Sequence, residues 1–336
     1  MLFLSPVHPF LTSANPLPGW QMQASWVRGL EKIGAEVKVV RYTPEGRIRP
    51  NWIERILQNI RVIREIWTIR GIDLIIYSLG ADVLLPQTLS FIKWLTKAPF
   101  VILSGVSPVS DGNPRERVMA KLVDLAVVND DGHAQEWRKL GVKKAVVLPI
   151  SGMDPELHWR RGEEARRIVK KKKEREKREK RRCKDREIDV LFVGTLTPER
   201  KAFCVKLKNL LPKSINFVIA EFVWEEKYAK LMSRAKIVLN PIRPEMKHGA
   251  NLRMFEIPAF GALELASYGN EKWLAPGKEM LVYRDAEEAA ELIVENLMNG
   301  KRRKEMIERG QRRVLLEHTF ENRAERLMEL INPLIH

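Results

Sequence analysis

Arg253 and Glu256 stand three residues apart, just after a polar loop that holds His248 and Gly249, in the stretch LNPIRPEMKHGANLRMFEIPAFGALELAS at residues 239–267. A loop that opens a helix at Asn251 presents unpaired backbone N–H groups and the positive end of the helix, which suits phosphate. Arg253 adds a planar fork of donors in the first turn. Glu256 follows on the same helical face, where a carboxylate can accept two hydrogen bonds from a diol such as ribose. Gly249, Asn251, Arg253 and Glu256 together describe a pocket for a nucleotide sugar. A plainer reading competes with it, in which Arg253 and Glu256 pair with each other on an ordinary helix.

Flanking elements must hold that loop in place. KIVLNPI reads as a strand running into it, and the apolar segment after Gly261 as the next strand. Upstream, DVLFVG is a strand ending at Gly194, where the missing side chain lets backbone approach a diphosphate closely. INFVIAEF, a helix over 225–233 and EMLVYRD continue the alternation. The first half repeats the pattern: LFLS, a helix stopped by Gly34, EVKVVRY, DLIIYSLG, a helix over 83–95, PFVILSG, a helix around 115–122, DLAVVND, the helix GHAQEWRKLG, and AVVLP. Strands alternating with helices predict parallel sheets covered on both faces, and 336 residues suffice for two such α/β domains. In open sheets of this kind ligands lie at the C-terminal ends of strands, which makes His8, Ser107, Asp111 and Asn129 candidates by position. Asn129, Asp130 and Gly132 read as turn capping rather than part of a metal pair, and His133 is expected on a solvent-facing first turn.

The run NLRMFEIPAFGA, followed by APGKEMLVYRD at 275–285 and EHTFENR at 317–323, resembles the C-terminal half of the spore-maturation (CgeB-like) branch of the GT-B glycosyltransferases, and more distantly the large retaining group-1 family. The resemblance spans residues 188–330 well and the first 150 loosely. It implies two Rossmann-like domains facing a cleft: an acceptor-side domain over 1–153, a linker with a charged helix over 154–187, a nucleotide-sugar domain over 188–318, and a helix over 319–336 crossing back to the first domain. It also implies hexosyl transfer from a nucleotide-sugar donor to a hydroxyl acceptor without a metal or other cofactor. Retention is the outcome of the wider group; the donor sugar, the acceptor and the stereochemistry are left open. Gly19 matches the glycine loop after the first strand, with a simple helix entry after Pro18 as the alternative. Arg200 lies where the wider family carries a phosphate-binding Lys, whereas Thr195 departs from the family's Arg. Glu256 and Glu264 mimic a pair of glutamates separated by seven residues, but the family register places Glu256 as the second of that pair and His248 at the position of the first. Glu264 is then a strand residue without a catalytic role, Glu256 orients the ribose, and His248 meets a sugar hydroxyl or the phosphate. An epimerase or phosphorylase on the same fold, or a binding protein using the charged helix, are the rival readings.

The net charge of +16 is concentrated in one place. Residues 160–187 hold 16 basic and 7 acidic side chains, interleaved so that Glu163 and Arg167, Glu174 and Arg178, and Glu176 and Lys180 form i,i+4 pairs. A solvated helix, contact with anionic lipid, and nucleic-acid binding are the three options, the last weakened by the absence of aromatics for stacking. Residues 51–70 place Ile53, Ile56, Leu57, Ile60, Ile63 and Trp67 on one helical face, which fits either a crossover helix packed on the sheet or a basic amphipathic helix on a membrane. No segment is apolar over the ~18 residues that a spanning helix needs. The start MLFLSPVHPF reads as a first buried strand rather than a signal peptide. Two cysteines without metal spacing fit a reducing cytoplasm, and the abundance of Lys, Arg and Glu points to a thermophilic source.

Overall fold

The computed structural model describes residues 1–6, 21–43, 50–78, 83–105, 114–154, 186–223, 225–242 and 249–335. His8, Gly19, Ser107, Asp111 and His248, with residues 160–185 of the charged run, lie outside the described residues. Two compact units divide the chain, Met1–Gly152 with Phe320–His336, and Met153–Thr319. No helix among the described residues is long and apolar enough to cross a membrane.

The first unit is a six-stranded parallel sheet in the order β2-β1-β3-β4-β5-β6, built from β1 (Leu2–Ser5), β2 (Lys38–Arg41), β3 (Ile75–Ser78), β4 (Phe100–Ser104), β5 (Leu125–Val128) and β6 (Lys144–Val147). The four central strands bury every residue, as their unbroken apolar runs require in a sheet covered on both faces. Between the strands run α1 (Gln21–Lys32), α2 (Trp52–Trp67), α3 (Pro86–Thr96), α4 (Pro114–Met119) and α5 (Asp131–Lys139). One core holds Tyr42, Tyr77, Phe100 and Trp137, and the other holds Trp26, Leu30, Leu327 and Ile331. A final helix, Phe320–Ile335, completes this second core. Trp26 meets Phe320 edge-on with ring centroids 5.8 Å apart, and its Nε1 donates to the Ile150 carbonyl at 2.7 Å. A Cβ at Gly29 would lie 2.5 Å from the Phe320 carbonyl oxygen, so only glycine lets the first and last helices approach this closely.

In this unit one of two alternatives drops out and one expectation fails. The apolar stripe of α2 does not pack on the sheet. Gln58, Asn59, Val62 and Ile66 are buried instead, while Ile53, Ile56, Leu57 and Ile60 are exposed and Trp52 and Trp67 are 71% and 62% exposed. The hydrogen bonds of Asn59 fit this orientation. Its Nδ2 donates to the Val83 carbonyl at 3.0 Å and its Oδ1 accepts from the Leu85 N–H at 2.9 Å, both on the inward side of the helix. His133 is buried rather than solvent-facing, forming with Ala134 and Trp137 the inner side of α5. Asp130 caps that helix, accepting from the Gly132 N–H at 2.6 Å.

The second unit is a five-stranded parallel sheet in the order β11-β10-β9-β7-β8, from β7 (Ile188–Val193), β8 (Phe217–Ala220), β9 (Ala235–Asn240), β10 (Leu263–Ala266) and β11 (Leu281–Val282). Its helices are α6 (Pro198–Leu210), α7 (Glu225–Arg234), α8 (Leu252–Ala259), α9 (Ala286–Met298) and α10 (Gly300–Glu317), and the final helix of the first unit is α11. Phe192, Leu207, Leu239 and Ile293 fill one side of the sheet, and Leu191, Val238, Met232 and Phe260 the other. The strand order reverses direction between β7 and β9, and the C-terminal ends of strands at such a reversal are where open α/β sheets bind ligands.

Candidate functional site

The residues with chemistry to offer in the second unit gather at that reversal point. Gly194 follows β7 with φ +148°, a conformation that side chains other than glycine's rarely adopt. The Arg253 guanidinium lies over it: a Cβ at Gly194 would sit 3.0 Å from one terminal nitrogen and 3.2 Å from the other. The loop is held to β8 by the Gly194 N–H, which donates to the Ala220 carbonyl at 3.0 Å. Arg253 projects from the first turn of α8. Its Nε is buried and makes no hydrogen bond, and among the described residues Arg253 forms no ion pair with Glu256. A half-buried guanidinium with an unmatched donor, beside a glycine turn and a helix start, is an arrangement that favours an anion.

Asn251 sets where α8 begins. Its side-chain oxygen accepts from the Met254 N–H at 3.0 Å, the usual way an Asn cap satisfies an orphan donor. It also exchanges two hydrogen bonds with Asn240 at the end of β9, at 3.0 and 2.8 Å. The Asn251 side chain is therefore engaged within the protein, which leaves backbone groups of residues 249–251 as what this turn can offer a ligand. Asn240 in turn donates to Glu264 Oε1 at 2.6 Å. Glu264 is a fully buried residue of β10, as its strand reading required, with Oε2 unbonded. Burial pushes its pKa up to about 7, opposed by the Asn240 hydrogen bond.

Arg200, in the first turn of α6, uses its fork on the protein itself: it donates to the Thr195 carbonyl at 3.2 Å and the Pro241 carbonyl at 2.8 Å. It ties the exits of β7 and β9 together. Thr197 caps the same helix, accepting from the Arg200 N–H at 3.4 Å.

Glu256 is buried one turn beyond Arg253, and its Oε2 accepts a 2.7 Å hydrogen bond from the Tyr228 hydroxyl of α7. Burial holds the Tyr228 hydroxyl far above its ordinary pKa, with the Glu256 charge adding to the effect. The ring stands edge-on to Phe260 at 6.0 Å. Tyr228 escaped sequence reasoning because 28 residues and a whole strand separate it from its partner; only a polar-tipped aromatic on an amphipathic helix hinted at it. In the first unit, Asn129 joins strand ends rather than facing a ligand: its Oδ1 accepts from the Ile150 N–H at 2.7 Å and its Nδ2 donates to the Gly105 carbonyl at 3.5 Å. Among the described residues, no three His, Cys, Asp or Glu side chains group as metal ligands.

Residues 166–329 match the model of a family described as glycosyl transferase-like. No curated protein sequence matches the chain. Among solved structures, Alr3699/HepE of Anabaena in complex with UDP-glucose is similar over 99% of both chains, at 12% identity and a TM-score of 0.64. A glycosyltransferase from Rickettsia africae is similar over 99% of this chain and 98% of its own, at 13% identity and a TM-score of 0.65. UDP-GlcNAc 2-epimerase from Neisseria meningitidis, bound to UDP-GlcNAc, is similar over 99% and 98%, at 13% identity and a TM-score of 0.54. The two parallel-sheet α/β units are thus those of the GT-B fold, and the region similar to the glycosyl transferase-like family falls almost wholly in the second.

Proposed function

We propose that the chain is a glycosyltransferase that moves a hexosyl group from a nucleotide-sugar donor to a hydroxyl acceptor, without a metal. The observation that carries this reading is the Arg253 guanidinium laid over Gly194 with its buried Nε unmatched, at the reversal point of a glycosyl transferase-like sheet. Negative charge develops on the leaving diphosphate as the glycosidic bond breaks. Arg253 and the backbone at Gly194 and at 249–251 would neutralise it there. Arg200 positions the two loops from behind. Glu256, oriented by Tyr228, would receive the ribose hydroxyls, and His248 would meet a sugar hydroxyl or the phosphate. The NLRMFE and EHTFENR segments support membership of the spore-maturation branch, and a cytoplasmic enzyme is the setting that fits.

Calorimetric titration with UDP tests the site. Arg253→Ala is expected to weaken binding by about 10- to 150-fold, the loss of roughly 1.5–3 kcal/mol of charge-assisted hydrogen bonding, with the melting temperature little changed. Unchanged affinity in the folded variant would remove Arg253 from the site. The likeness to an epimerase supplies the second reading, since the same fold hosts that reaction. Transfer releases free nucleoside diphosphate only in proportion to acceptor, whereas epimerisation yields a new nucleotide sugar without acceptor.

A further inference from the structure

The side of α2 that faces away from the sheet gathers most of the exposed large apolar side chains among the described residues of the first unit. Ile53, Ile56, Leu57 and Ile60 line it, with Trp52 and Trp67 at its two ends. It runs on into α3, where Trp67 stacks on Phe91 at 6.3 Å and Phe91 tilts against Trp94 at 5.6 Å, with Trp94 69% exposed. The 16 residues of α2 make a flat ridge roughly 24 Å long. Contiguous exposed apolar surface of this kind on a folded domain marks a place of contact.

Charge decides what it contacts. Exposed Arg64 lies within the stripe, four residues beyond Ile60, while Arg70 and Lys97 are exposed at the C-terminal ends of the two helices; none has an ion-pair partner among the described residues. The two carboxylates of α2 are already engaged, Glu54 in the capping box with Asn51 and Glu65 with Arg61 at 3.3 Å. α3 contains no acidic residue. A second copy of the chain would bring cations against cations, whereas anionic headgroups would complement them. Tryptophan at the margins of an aliphatic stripe flanked by free cations is the composition that settles at a bilayer surface.

We propose that the α2–α3 face docks the protein on an anionic lipid bilayer, the helix lying in the plane of the headgroups with its aliphatic stripe below them. The docking stands independently of the proposed transfer activity. Flotation of the full-length chain with vesicles of phosphatidylglycerol and phosphatidylcholine, against vesicles of phosphatidylcholine alone, tests it. The wild-type chain is expected to float with the anionic vesicles, less so at high salt. Ile56→Glu with Ile60→Glu is expected to lower partitioning by at least about tenfold. Melting temperature and UDP affinity should stay as in the wild type, which separates failure of docking from failure of the nucleotide site. Residues 160–187 are present in both proteins, so their charge cannot produce the difference. A spectroscopic measurement supports or sinks the idea too: bromine-labelled acyl chains should quench tryptophan fluorescence, and Trp52→Phe, Trp67→Phe and Trp94→Phe together should remove most of that quenching. Equal flotation of wild type and double Glu variant would overturn the proposal, as would a wild-type chain that ignores anionic vesicles. So would a dimer in sedimentation that the Glu variant dissolves while vesicles have no effect, because the face would then belong to a second copy.

Discussion

Arg253 and Gly194 depend on each other: the guanidinium occupies the space that a Cβ would fill, and the turn needs a positive φ. Gly194→Ala is therefore expected to weaken UDP binding as strongly as Arg253→Ala and also to lower the melting temperature, a combination that calorimetry and thermal denaturation together would detect. Tyr228→Phe removes one hydrogen bond to Glu256 and leaves a buried carboxylate oxygen without it. A loss of about 1–3 kcal/mol in stability follows, with a smaller fall in donor affinity if Glu256 meets the ribose. Affinity that stays constant while stability falls would confine the pair to a structural role. Glu264 is different, because its fully buried carboxyl is raised to about 7 from 4.5 by burial. The folded chain keeps a proton there that the unfolded chain releases between those values. Stability is therefore greatest below pH 4.5 as far as this group is concerned, declines up to about pH 7 and levels off above it. Glu264→Gln should flatten that decline in melting temperatures taken from pH 5 to 8. A decline of equal size in both proteins would rule Glu264 out as its source. The cap at Asn251, and the helix that carries Arg253 and Glu256, were legible from type and spacing alone. Tyr228, and the use of Arg200 on carbonyls, were not, since side-chain contacts between separate elements leave no periodic trace in sequence.

At the scale of elements, continuous apolar runs identified the buried strands, and capping residues identified the starts of α5 and α8. The orientation of α2 stayed open in the sequence for a physical reason. Periodicity says which residues share a face and not which face is inward, and here the inward side is the one that carries Asn59, Val62 and Ile66. Two substitutions on adjacent residues make the point measurable. Asn59→Ala should cost about 1–3 kcal/mol in denaturant unfolding, because it strands the Val83 carbonyl and the Leu85 N–H. Ile60→Ala should stay within about 0.5 kcal/mol of wild type, as surface changes do. The reverse order would mean that the aliphatic face is the packed one.

For the whole molecule, the proposed diphosphate neutralisation by Arg253 and a helix start predicts turnover that survives excess chelator. Activity that vanishes with chelator and returns with magnesium or manganese would require a different account. The two parallel sheets were readable from alternation, but the return of α11 to the first unit could be inferred only through a family resemblance, since helix composition does not say which sheet a helix covers. That return has a consequence for synthesis. Residues 153–319 form one uninterrupted unit, whereas the first unit takes Phe320, Ala324, Leu327 and Ile331 from the far side of it. While the ribosome is still making the second unit, the core around Trp26 and Leu30 lacks those four side chains, and residues 320–336 complete a domain begun more than three hundred residues earlier. The second unit can thus mature before the first, and a released chain truncated before residue 320 would hold a complete second unit and an unfinished first one.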